Sequence, residues 1–188
     1  MERVRQMIEE GVDIVDIGGE STRPGAAPVT IEEEINRVVP VIRAIRQANL
    51  SIPISIDTYH AEVAKQAIDA GASVVNDISA GENDKNMIPY LAEYGIPAIL
   101  MHKRGTSETM DSLATYTDVT AEVAQYCVDR SFAALHAGLP RWNVMIDPGL
   151  GFAKTTSQNC QIIRELPRFK ELTGNMPLLV GFAGMVGL

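Results

Sequence analysis

The side chains best placed for chemistry in this sequence are Asp16, Asp57, Asn76, Asp77, His102 and Asp147. Each stands at or near the end of a short run rich in Val, Ile and Leu, the runs covering 12–19, 52–57, 73–78, 97–102 and 142–147. Polar groups at the C-terminal ends of parallel strands converge on one rim, which is where α/β barrels and open α/β sheets bind ligands. Two carboxylates, Asp57 and Asp147, with the amide of Asn76 on such a rim suit three chemistries. They are metal ligands, an acid/base pair, or acceptors for a donor-rich heterocycle. The sequence has three His, dispersed rather than clustered, which argues against a transition metal. A heterocycle with an amino-pyrimidinone edge presents adjacent N–H donors that a carboxylate accepts bidentately, while an amide donates and accepts at once.

Continuous apolar runs of this length read as strands buried on both faces, and a sixth run at 177–181 closes the series. Helical spacing fills the intervals. Val4, Met7 and Ile8 lead to a glycine stop at Gly11, and Thr30 with Glu33 makes a capping-box pair ahead of Ile31, Ile35, Val38, Val39, Ile42 and Ile45. Further helices are expected over about 61–70, 84–94, 118–137 and 157–172. Pro89 predicts a late start or a kink in the second of these, and Pro167 a break in the last. A βα unit repeated five times and closed by a strand argues for one parallel sheet with right-handed crossovers. A complete eight-stranded barrel takes about 250 residues. The expectation is therefore one domain over residues 1–188 with an incomplete (β/α)8 TIM-barrel fold. About six parallel strands are present, and the first and last strands are missing. An open doubly wound sheet is the alternative.

With 46% hydrophobic and 21% charged residues, the chain has the composition of an ordered globular domain. Its net charge of −8 argues against non-specific nucleic-acid binding, although an anionic small molecule remains possible given local cations such as Arg23, Lys103, Arg104 and Lys154. No apolar stretch approaches the roughly 20 residues that span a bilayer, and no secretory leader is visible. Cys127 and Cys160 fall in expected helices and read as packing residues in a reducing compartment, so the cytoplasm is the expected location.

Two loops carry most of the remaining information. Residues 18–26 read GGESTRPGA, in which paired glycines let backbone approach a ligand and Ser, Thr and Arg offer donors suited to an anion. Residues 147–154 read DPGLGFAK, an Asp at a strand tip followed by turn residues. Lys154 reads as a solvated loop residue, and His60 and His136 as structural residues at helix ends.

GGESTRPGA at 18–26, SIDT at 55–58, VNDIS at 75–79, ILMHKRGT at 99–106 with Met110, and IDPGLGFAKT at 146–155 together resemble dihydropteroate synthase. The resemblance runs from the first helix to Gly181. It implies a TIM barrel that condenses 6-hydroxymethyl-7,8-dihydropterin pyrophosphate with para-aminobenzoate, giving dihydropteroate and pyrophosphate with Mg2+ assisting. It further implies that Asp57, Asn76 and Asp147 hold the pterin edge, that Ile78, Ile99, Met101 and Phe152 wall it, and that Gly181 lies at the pocket base. Thr22, Arg23 and Pro24 would meet the pyrophosphate and the aminobenzoate. Arg23, Asp57 and Asp147 would act in catalysis, Arg23 on the leaving group and the two carboxylates on charge developing in the ring.

The sequence departs from that pattern in places. The resemblance implies an Asn that contacts the metal on a strand ahead of residue 1, so no metal ligand is assigned within the chain. It also implies a Ser-Arg-Lys run after Gly181, where Met185 stands in the lysine's position. The Arg and His of a last strand have no counterpart here. The chain alone is accordingly expected to be poorly active, with a homodimer or fusion to other folate-pathway domains as its expected associations and an organelle leader left open. Two rivals remain: a non-catalytic pterin-binding remnant, and a methyltetrahydrofolate-binding methyltransferase-like domain.

Overall fold

In the computed structural model, which describes residues 1–21, 28–106 and 108–181, the strands are short and separated by helices throughout. The order is α1 (Glu2–Glu9), β1 (Val15–Gly18), α2 (Ile31–Gln47), β2 (Ile54–Asp57), α3 (Ala61–Ala70), β3 (Val74–Asp77), α4 (Met87–Tyr94), β4 (Ala98–Met101), α5 (Val119–His136), β5 (Val144–Asp147), α6 (Thr156–Arg164) and α7 (Leu166–Leu172). All four pairings are parallel, and the spatial order is β1-β2-β3-β4-β5. A doubly wound sheet must reverse its strand order at a switch point. This sheet winds in one direction only, as a barrel wall does. The fold is an incomplete (β/α)8-type barrel.

The sixth expected strand is reduced to one parallel bridge, Ile146 to Leu178. Ile146 donates its N–H to the Pro177 carbonyl at 3.0 Å and accepts from Leu179 N–H at 2.9 Å. The segment thus follows β5 without forming a ladder.

Side-chain alternation decides what the sheet does. Val15, Ile54, Ile56, Val75, Leu100, Val144 and Ile146 join the core under the helices, with Ile42, Ile45, Val63, Leu91, Val123 and Phe169. Burying one such side chain stabilises by roughly 1.5–3 kcal/mol. The opposite face carries Asp16, Ser55, Asp57, Asn76, Ile99, Met101, Met145 and Asp147, all lining a cavity. The runs are therefore not uniformly apolar on both faces, because polar residues alternate into them wherever the inner face is reached.

Helix ends follow the sequence closely. Thr30 caps α2 by accepting from Glu33 N–H at 3.2 Å, but the Glu33 carboxylate turns to Arg37 Nε at 2.9 Å, so the box is only half made. A complete capping box instead opens α6, between Thr155 and Gln158. Pro89 delays the start of α4 to Met87, and the final helical segment divides at Glu165, with Pro167 in the first turn of α7. Cys127 is buried and Cys160 half-buried, both as free thiols. Among the described residues, no helix is long and apolar enough to cross a membrane.

Candidate functional site

Strand register brings the rim residues together. Gly18 lies opposite Asp57, Asp57 opposite Asn76, Asn76 opposite Ile99, and Met101 opposite Asp147. The result is a cavity of about 460 Å³ against the inner face of the sheet. Asp57, Asn76 and Asp147 line it, with Ile78, Ile99 and Met101. Phe152 and Gly181 line it as well. Thr22, Arg23 and Pro24 lie outside the described residues.

The carboxylates in this cavity are not equivalent. Burial pushes Asp57 up to about 7, and the negative charges of Asp16, Glu34, Asp77 and Glu20 add to the rise. Burial also pushes Asp147 up to about 6, while the Gly149 N–H (2.7 Å to Oδ1) and the charge of Lys154 pull it back. Asp16 is a third carboxylate on the cavity wall, beside the trio inferred from sequence. It is raised by burial and restrained by two donors, Ser55 Oγ on Oδ1 and Asn76 Nδ2 on Oδ2, the latter at 3.3 Å.

Other rim residues are committed to structure. Asp77 faces away from the cavity and holds a turn, accepting from Ser79 N–H (2.7 Å), Ser79 Oγ (2.8 Å) and Gly81 N–H (2.7 Å). His102 is buried, with Tyr126 edge-on at 4.8 Å between ring centroids. Burial and the nearby Lys154 and Arg104 charges hold it neutral, its pKa lowered to about 2.

Lys154 overturns the solvated-loop reading. It is only 9% exposed, and its Nζ meets His102 Nδ1 (2.9 Å), the Gly149 carbonyl (2.9 Å) and the Phe152 carbonyl (3.0 Å). Burial drives its pKa down to about 7. Its role is to close the loop carrying Asp147 and Phe152. Nothing local in the sequence announces this, since one of its three partners lies 52 residues away.

A second cavity of about 280 Å³ adjoins the first, sharing Ile78 and Phe152 and adding Glu20, Tyr59, Lys103 and Thr106. Among the cations proposed from sequence, Arg104 is tied to the Thr115 carbonyl (2.7 Å) and Glu122 (2.9 Å), and lies 3.9 Å from the centre of the Tyr116 ring. Lys103 and Arg104 both line this cavity, with Lys103 5.5 Å from the Tyr59 ring centroid and in no ion pair among the described residues.

The arrangement suits a flat, donor-rich ring held between apolar walls, its N–H groups received by acceptors that a proton can silence near neutral pH. Comparisons with known proteins give the family. The dihydropteroate synthase of Synechocystis sp. is 46% identical over 179 residues, covering 95% of this chain and 61% of that protein. The folic acid synthesis protein fol1 of Schizosaccharomyces pombe is 44% identical over 98% of this chain, which spans 26% of its length. The solved Xanthomonas albilineans dihydropteroate synthase with 4-aminobenzoic acid superimposes with a TM-score of 0.87 at 41% identity, over 96% of this chain and 63% of that one. The chain thus spans less than two thirds of the length of these relatives. A family model for pterin binding enzyme matches residues 1–184, and with these identities it establishes that the chain belongs to the pterin-binding enzyme family.

Proposed function

We propose that this chain carries the pterin-holding part of a dihydropteroate synthase, which joins 6-hydroxymethyl-7,8-dihydropterin pyrophosphate to para-aminobenzoate with release of pyrophosphate. The single observation that carries the reading is the cavity on the sheet's inner face, where Asp57, Asn76 and Asp147 share one wall system with Ile99, Met101 and Phe152. The pterin's amino-pyrimidinone edge donates to the two carboxylates, Asn76 both donates and accepts, and the apolar side chains cover the ring faces. Departure of pyrophosphate breaks the C–O bond and leaves a methylene cation conjugated with the ring. The aniline nitrogen of the aminobenzoate then traps it, forming the C–N bond and releasing one N–H proton to solvent or the pyrophosphate. Asp57 and Asp147, in their ionised forms in a low-dielectric pocket, stabilise that cation as it forms. Arg23 is assigned to the leaving pyrophosphate, and Thr22 and Pro24 to contacts with the pyrophosphate and the aminobenzoate.

Mg2+, which the family resemblance implies, takes near-octahedral oxygen ligation and retains several waters. Within the described cavity, the Asp16 oxygens are directed at Ser55 and Asn76, and one Asp147 oxygen at the Gly149 N–H. Asp57 and the second Asp147 oxygen are reserved for the ring, so no described cavity residue is assigned to Mg2+, which would neutralise charge on the pyrophosphate when bound. Because Arg104 and Lys154 are committed elsewhere, the chain on its own is expected to bind pterin better than it turns it over. Cytoplasmic location, a homodimer, and fusion with other folate-pathway domains complete the proposal. The small share of fol1 that the chain spans supports the last of these.

Calorimetric titration with 6-hydroxymethylpterin pyrophosphate and Mg2+ tests the reading. Saturable binding is expected, and Asp147→Ala is expected to abolish it. Unchanged affinity in that variant refutes the assignment. Binding of methyltetrahydrofolate without the pyrophosphorylated pterin would favour the methyltransferase-like alternative.

A further inference from the structure

We propose that Glu20, Glu34 and His60 form a divalent-cation site at the root of the loop that leaves β1, separate from the pterin cavity. The three residues come from three different places: Glu20 from that loop, Glu34 from the first helical turns of α2, and His60 from the N-cap of α3. One potential ligand atom of each lies within 4.8 Å of those of the other two. Gly19 permits the approach, since a Cβ there would come 2.9 Å from Glu34 Cγ.

A second observation points to a ligand. Glu20 Oε1 accepts from the Tyr59 hydroxyl at 2.9 Å, but Glu20 Oε2 is buried and has no hydrogen-bond partner among the described residues. An orphaned carboxylate oxygen away from water is costly. One carboxylate oxygen of Glu20 also lies within 4.8 Å of the carboxylate of Glu34, which is only 1% exposed. The His60 Nδ1 to Glu34 Oε2 distance of 2.8 Å is bridged by one proton. The charges of Glu20 and Glu34 also reach Asp57, so the neighbourhood is anionic beyond the trio. Lys103, 5.5 Å from the Tyr59 ring centroid, also feels the Glu20 charge.

A cation resolves these strains together. Two carboxylates with one imidazole suit Zn2+, Mn2+ or Co2+, with water completing the shell. Metal–ligand bonds of about 2.0–2.2 Å place ligand atoms roughly 3–4 Å apart, so Glu20, on its loop, must draw in by about 1 Å. On binding, a neutral imidazole moves its proton from Nδ1 to Nε2 and presents the freed lone pair to the metal, with no net proton released. The bound cation then ties the β1 loop to α2 and α3. The proposal stands whether or not the pterin reading holds.

The test is calorimetric titration of the chelator-stripped 188-residue chain with Zn2+, and Co2+ absorption spectra as a second readout. One equivalent is expected to bind, raising the melting temperature by several degrees at saturation. Glu20→Gln and His60→Gln, each verified as folded by far-UV circular dichroism, are expected to weaken binding at least tenfold. Asp147→Ala is expected to leave it intact, which separates this site from the pterin cavity. Absence of saturable binding to the folded chain overturns the proposal, as does equal affinity in the Glu20 and His60 variants or loss of binding in Asp147→Ala.

Discussion

Asp57 ends β2 on the cavity wall, within reach of the Asp16 and Glu34 charges, and this sets its behaviour with pH. Its folded-state pKa of about 7 arises first from burial and then from four neighbouring anions. A protonated carboxyl has one acceptor oxygen fewer to offer and presents a donor to a ligand that itself donates. Pterin affinity should therefore be flat above about pH 8 and fall as pH drops through 7. The fall approaches tenfold per unit, because one proton must leave for each ligand bound. Below about pH 6 the slope should steepen towards two protons as Asp147 joins. Calorimetry with 6-hydroxymethylpterin, which lacks titrating phosphates, checks this. In Asp57→Asn the first step should vanish and overall affinity should drop. A profile flat from pH 8 to 5 in the parent chain would remove these carboxylates from ligand binding.

The 147–154 loop shows how an element can be positioned by residues that sequence alone does not nominate. Gly149 adopts φ +64°, and a Cβ there would stand 2.0 Å from the His102 carbonyl oxygen, so the loop is pressed against the end of β4. Ala153 is also left-handed, at φ +48°. Lys154 then reaches back to the Gly149 and Phe152 carbonyls and fastens the loop on His102. Lys154→Met preserves much of the stem's packing but strips three acceptors of their donor, two in buried bonds and one in a part-buried bond. Unmet buried acceptors cost about 1–3 kcal/mol each before relaxation. The variant should lose about 2–4 kcal/mol in urea denaturation at pH 7.5. Its pterin affinity should fall too, because Asp147 and Phe152 ride on the loop. A loss below about 0.5 kcal/mol would return Lys154 to the solvated surface. The contrast with Asp147 explains what could be read in advance. An Asp at the end of an apolar run is placed on the rim by strand geometry alone, and so are Asp57 and Asn76. Whether a lysine a few residues later is solvated or buried depends on where His102, on another strand, directs its ring. Helix limits were legible for the same local reason, through Thr30, Gly71, Pro89 and Pro167. The second half of the Thr30 capping box was not, because Arg37 competes for the Glu33 carboxylate.

At the scale of the whole molecule, the sheet winds one way and does not close among the described residues. Among the described residues, β1 pairs with β2 alone, and the sole sheet pairing beyond β5 is the bridge from Ile146 to Leu178. The inner face therefore joins two kinds of surface. Its rim end is polar and suited to a ligand, while its other end is lined by Ile14, Pro97 and Trp142. Ile14 is 45% exposed and Trp142 is 83% exposed. An open strand edge beside exposed apolar side chains is a template for pairing with another chain. In a closed barrel such an edge disappears, since each strand has two neighbours. The chain in isolation should accordingly self-associate. Sedimentation velocity is expected to show a weight-average mass that rises with micromolar concentration. The paired change Ile14→Lys with Trp142→Lys should hold the chain as a monomer with an unaltered far-UV spectrum, because Trp142 is largely exposed, Ile14 nearly half exposed, and both lie outside the helix-side core. It should also leave pterin binding nearly unchanged, as both lie at the end of the cavity away from Asp57 and Asp147. A parent chain that remains monomeric at high concentration would mean that the open face is covered from within the chain. Self-association that survives both lysines would move the sticky surface elsewhere, with the outer groove between Phe132 and Leu172 the next place to introduce charge.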